Sequence, residues 1–165
     1  MNSIICHNFN FCMDFLDRLI EDVKDEQMAS QPSGVVNHPA WTLGHLAIGC
    51  QMMCEDLGLE PWLPPDWTEL YMEMPAQADL TAYPSKDEIT TALFESRQRL
   101  LEEVKNQSES VLKQPFPQVM YSELFPTLGH ALNYGMNVHT AFHVGQLTSW
   151  RRAMKLPIIK EFPEE

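Results

Sequence analysis

The chain has 165 residues, 44% of them hydrophobic, enough for one globular domain over 1–165 and too few for two. Its net charge of −12 and pI near 4.8 oppose a phosphate backbone or an anionic membrane, so neither nucleic acid nor a bilayer is expected as a partner. No basic stretch opens the chain and Asp14 and Asp17 follow soon, so no signal peptide is expected, and no uncharged apolar run approaches the ~20 residues of a membrane span. Cys6, Cys12, Cys50 and Cys54 each fall in a helical pattern and are expected to be reduced, mostly buried thiols of a cytoplasmic protein.

Ile5, Phe9, Cys12, Leu16, Leu19 and Val23 recur at alternating steps of four and three, which predicts a first helix from about Ser3 to Ala29, ended by Gln31-Pro32-Ser33-Gly34. Pro39 opens a second helix with His38 in the extended N-cap position; Trp41, His45, Ile48 and Met52 form one stripe and the helix ends near Gly58. In the stretch Leu59 to Pro84, prolines at 61, 64, 65, 75 and 84 rule out long regular structure. Trp62, Trp67, Tyr71 and Tyr83 make that stretch either a connection pinned by buried aromatics or a lid facing a substrate.

Ser85-Lys86-Asp87-Glu88 is a capping box, and the helix it starts runs to about Asn106 with Ile89, Leu93, Leu100 and Val104 inward. Ser108 to Met120 reads as a short helical turn and a proline-interrupted loop. Thr127 caps a long last element that stops before Pro157; Gly129 and Gly135 weaken its first turns, so a short helix kinked into a longer one is expected. Tyr121 to Phe125 has extended character but is too short to build a sheet. The class is all-α, a bundle of four main helices.

The chemistry concentrates in His139-Thr140-Ala141-Phe142-His143. An i, i+4 pair of imidazoles shares one helix face, the geometry by which a helix gives two ligands to one metal ion. Leu128, Leu132, Gly135, His139, His143, Gln146 and Trp150 lie along one stripe, so both rings should face the bundle interior, as should His45 on the second helix. Three buried imidazoles without partners would lack hydrogen bonds, and a shared cation removes that cost. His139 is followed by threonine and no glutamate stands three residues before a histidine, so neither an HExxH nor a Glu-x-x-His site fits; a three-histidine mononuclear site with open positions does.

His7, His38 and His130 read as lone histidines of structural use. Cys50 and Cys54, also i, i+4, read as core, with a thiolate site as the alternative. Gln146, one turn after His143, either orients a ligand or substrate or makes a helix–helix hydrogen bond, and Trp41, one turn before His45, packs as core against the site.

Asn37-His38-Pro39-Ala40-Trp41-Thr42-Leu43-Gly44-His45-Leu46-Ala47 resembles the second-helix motif of the DinB/YfiT-like metalloenzyme superfamily, and His139-Thr140-Ala141-Phe142-His143-Val144-Gly145-Gln146-Leu147 resembles its closing HxxxHxGQ motif. This superfamily of damage-inducible proteins is unrelated to the DNA polymerase sharing the DinB name. The resemblance covers nearly the whole chain, and the two motifs in this order are together fairly specific. It implies an up-down-down-up four-helix bundle, often a homodimer, with the metal-binding triad at His45, His139 and His143 and zinc, nickel or another divalent ion bound. It also implies a metal-dependent enzyme acting on a small-molecule substrate with a low-molecular-weight thiol such as bacillithiol or mycothiol, hence a thiol S-transferase. A metal-dependent hydrolase and a non-catalytic metal-binding stress-response protein are the alternatives. The insertion from Leu59 to Pro84 is longer and richer in tryptophan than the family pattern. Three neutral imidazoles would leave a divalent ion its positive charge, so that a water or thiol bound to it ionises near neutral pH. No acid or base residue stands out.

Overall fold

A computed structural model of the chain describes residues 2–72 and 74–162. All regular structure among them is helical, and none of these helices is long and apolar enough to cross a membrane. Helix α1 spans Asn2–Ile20, α2 Pro39–Glu55, α3 Pro65–Met72, α4 Lys86–Asn106, α5 Glu109–Leu112, α6 Leu128–Asn133 and α7 Thr140–Ala153. Tyr134–His139, between α6 and α7, is π-helical.

The four long elements form the expected bundle. Asn2 at the start of α1 donates to the carbonyls of Val104 and Gln107 at the end of α4, while Lys86 at the start of α4 donates to those of Glu21 and Val23 just past α1. Those two helices are therefore antiparallel. Helix α2 runs alongside α4 in the same direction, with Leu43 near Leu93 and Cys54 near Glu103. Helix α7 runs with α1, since Phe11 and Cys12 border Val144 and the Leu19 carbonyl accepts from Arg151. The order is up, down, down, up. One contiguous core joins them, with Trp41, Trp150, Phe9, Leu16, Ile48, Ile89 and Leu100 almost wholly buried.

The first helix ends at Ile20, not near Ala29 as its periodicity predicts. Side chains from outside take the carbonyls at its end: Arg151 donates to Leu19 in the last turn, and Lys86 to Glu21 and Val23 just past it, acceptors that further turns would otherwise have satisfied. The chain then passes through a 3₁₀ turn at Asp25–Gln27. Val23, Met28 and Ala29 stay buried regardless, so the apolar pattern outlasts the helix that it marks.

Helix α2 begins as expected, with Pro39 in its first turn and the His38 ring accepting from the Trp41 N–H at 3.2 Å. Ser85 and Glu88 cap α4 reciprocally. Among its described residues the 59–84 stretch holds no long regular element, as its prolines predict; its one α-helix is the eight-residue α3, which Pro65 opens because proline costs nothing in a first turn. Helix α3 buries Trp67 and Tyr71 against α2 and the Tyr83 ring. Residues 121–125 form turns, with no extended segment. Where a kink is expected after Thr127, a π-helical segment joins the short α6 to the longer α7; Thr140 Oγ1 donates to the Gly135 carbonyl at 3.1 Å and takes up an acceptor the wider coil frees.

Candidate metal centre

Three helical segments bring His45, His139 and His143 to one point. His45 lies in mid-α2, His139 ends the π-helical turn and His143 follows one turn into α7. The His139 Nε2 stands 3.2 Å from His45 Nε2 and 3.1 Å from His143 Nε2, and the three ligand nitrogens all fall within 4.8 Å of one another. Among the described residues no carboxylate or thiolate belongs to the cluster.

Partners on the far side of two rings decide where their protons sit. His45 Nδ1 donates to the Tyr71 carbonyl at 2.9 Å, so its Nε2 turns a lone pair to the centre. His143 Nδ1 donates to Gln146 Oε1 at 2.9 Å, and that oxygen also accepts from Asn37 Nδ2 at 3.1 Å; the Nε2 of His143 is thereby a lone pair as well. His139 Nε2 can donate to one of these two nitrogens and not to both, so the centre holds more acceptors than donors. Nitrogens at the ~2.0–2.1 Å of a tetrahedral zinc stand roughly 3.3 Å apart, close to the two Nε2 spacings observed. Donor type, tautomer and spacing all fit a divalent cation.

The charges agree. Burial, then repulsion from His45, lowers the His139 pKa to about 4. Burial, then His45 and His139, lowers that of His143 to about 3 against a small lift from Gln146. Burial lowers His45 too, opposed by its bond to the Tyr71 carbonyl. All three are neutral near pH 7, the form that ligates metal.

Packing holds the rings. Trp41 stacks on His45 with ring centroids 4.5 Å apart and planes 13° from parallel. Gly44 has no side chain because a Cβ there would run into the Tyr71 ring, so this glycine lets α3 come close enough for the Tyr71 carbonyl to reach His45. His143 is 4% exposed, whereas His45 and His139 are only half-buried. The cluster is closed behind His143 and open beside the other two, where the expectation was of three inward rings.

The other candidates fall elsewhere. Cys50 and Cys54 are free, buried and outside the cluster; burial pushes the Cys54 thiol up to about 12 and Cys50 higher still, so both are inert core. His38 caps α2 and contacts the Gln77 carbonyl, His130 pairs with Thr127, and His7 is exposed. Gln146 Oε1 faces His143 Nδ1 and also accepts from Asn37 Nδ2 in the segment ahead of α2, so one oxygen joins the ring to that segment.

A family model described as the DinB superfamily matches residues 9–147. The chain belongs to the DinB superfamily. No curated protein matches it. In this DinB-superfamily chain the two sequence motifs meet in space: Asn37 and His45 come from the first, His139, His143 and Gln146 from the second. Sequence reasoning gave Asn37 no role of its own, although its place at the head of the first motif, opposite Gln146 in the second, was a usable signal. The Tyr71 carbonyl left none, because a backbone acceptor carries no side-chain signature.

Proposed function

We propose that this DinB-superfamily protein is a cytoplasmic, divalent-metal-dependent enzyme, a thiol S-transferase joining a low-molecular-weight thiol to an electrophilic small molecule. The observation that carries the reading is the cluster of three neutral imidazoles, two with Nε2 lone pairs turned inward, left open beside His45 and His139. Zinc or nickel bound there would supply a Lewis acid that lowers the pKa of a coordinated thiol or water.

The chain's own residues do the rest. His45 and His143 are fixed in tautomer and direction by Tyr71 and Gln146, so little reorganisation opposes ligation. Trp41 covers the His45 ring and keeps water from that side. A thiol acidified by coordination would need no protein base, which suits a cluster without a carboxylate. In the reaction the thiol proton leaves to solvent, the sulfur bonds to the electrophilic carbon, and the leaving group departs with its electron pair.

Zinc- or nickel-loaded protein, incubated with a small thiol and an activated aryl halide, is expected to form the thioether at a rate that a chelator abolishes. Hydrolysed product without thioether would make the protein a hydrolase. One bound ion without turnover of either kind would leave a metal-binding protein only.

A further inference from the structure

Solvent reaches the central helix along a single stripe. From Pro39 to Cys54 every residue of α2 is buried except His45, Gly49, Met52 and Met53, which follow one another at helical spacing on one face. Across from them the π-helical segment has half-buried Gly135, Asn137 and His139, of which Gly135 and His139 stand one turn apart. A Cβ on Gly135 would stand 2.5 Å from the Met53 sulfur, so Met53 lies across Gly135 and the two elements meet at that end of the stripe. At the other end the buried Trp41 ring lies flat on His45. Between them stands Gly49, where a Cβ would meet no atom within 4 Å.

The gap therefore lies one turn from His45 and one turn from Met53, over about 12 Å of helix. Side chains on a helix lean toward its N-terminus and cover the turn before their own Cα. A side chain at position 49 would thus lie over His45, on the open side of the three imidazoles. We propose that the gap at Gly49 is the way in to the metal centre, and that the missing side chain sets the size of ligand that reaches it. This rests on the metal-site reading above.

The surroundings define the ligand by chemistry. Met52 and Met53 offer thioether and methylene surface, and Tyr134, partly exposed, sets its ring 6.2 Å from that of His139. No charged residue stands on the stripe between His45 and Met53. A compact donor with an apolar body, such as a small thiol, fits these walls better than a polyanion.

The test uses the cobalt(II)-loaded full chain, with benzyl mercaptan as the bulky probe and azide as the small one. Binding is read from the d–d spectrum and, for the thiol, from the near-ultraviolet sulfur-to-cobalt charge-transfer band. Gly49→Leu is expected to hold one cobalt and to bind benzyl mercaptan at least about tenfold more weakly than wild type. Gly49→Ala, whose methyl meets nothing, folds and discriminates by size: azide unchanged, benzyl mercaptan weakened. If Gly49→Leu loses cobalt, the alanine variant decides alone. Thiol affinity indifferent to residue 49 in cobalt-loaded protein overturns the gate and leaves the metal site standing. Wild-type protein that takes up no cobalt overturns both.

Discussion

Replacing Gln146 by leucine separates a ligand-orienting role from a packing role. In the native protein its Oε1 accepts from His143 Nδ1 at 2.9 Å and from Asn37 Nδ2 at 3.1 Å. Leucine keeps the volume and removes the acceptor, so the buried imidazole loses what fixes its proton on Nδ1. Loss of such an outer partner lowers metal affinity about 10–100-fold, or roughly 1.4–2.8 kcal/mol. The folding cost is smaller, because Asn37 is half-buried and recovers part of its bond from water; about 1 kcal/mol is expected. Gln146→Glu restores the acceptor and adds a charge that favours the ligating imidazole, so its affinity should return to the wild-type value or exceed it. Competition against a chromophoric chelator at neutral pH measures all three proteins. A leucine variant that binds zinc as tightly as wild type would refute the reasoning, since the His143 tautomer would then not depend on Gln146.

Gly44→Ala forces a methyl into the Tyr71 ring, with an expected loss of ~1–3 kcal/mol and weaker metal binding as the Tyr71 carbonyl leaves His45; a raised melting temperature would contradict the contact. Arg151→Leu strips a buried guanidinium from Asp22 and from the carbonyls of Leu19 and Pro157, for roughly 3 kcal/mol by urea unfolding, and an unchanged midpoint would remove it from the account of the α1 terminus. Acid should destabilise the metal-free protein through the triad. The folded pKa values of His139 and His143, about 4 and about 3, lie below the ordinary 6.5, so the unfolded chain binds more protons between them. Their contribution is complete above pH 6.5 and is lost as pH falls toward 4 and then 3. A His139→Gln, His143→Gln double variant should therefore lose less stability than wild type between pH 6.5 and 5, and parallel curves would contradict the shifts.

What the sequence made legible was whatever side chains encode. The four long helices came from apolar periodicity, the α4 start from a capping box, the α2 start from His38-Pro39, and the triad from two histidine motifs. The misses share a cause, which is that tertiary contacts decide them. Arg151 and Lys86 end α1 from more than sixty residues away, while the buried Met28 and Ala29 go on mimicking a helical seam. Helix α3 hides behind two prolines that read as breakers until one of them is placed in a first turn. Its carbonyl at Tyr71, which fixes His45, is a backbone group that any residue could have supplied. The glycines predict a weak point in the last element, but the wider winding of the π-helical turn that ends at His139 has no sequence mark of its own.

The account stands on one cation shared by His45, His139 and His143. Elemental analysis of tag-free protein, beside the His139→Ala, His143→Ala double variant, addresses it directly. About one divalent ion per wild-type chain and none in the variant is the expected result. A wild-type chain free of metal after incubation with zinc and nickel, or a variant that keeps a full equivalent, would contradict it.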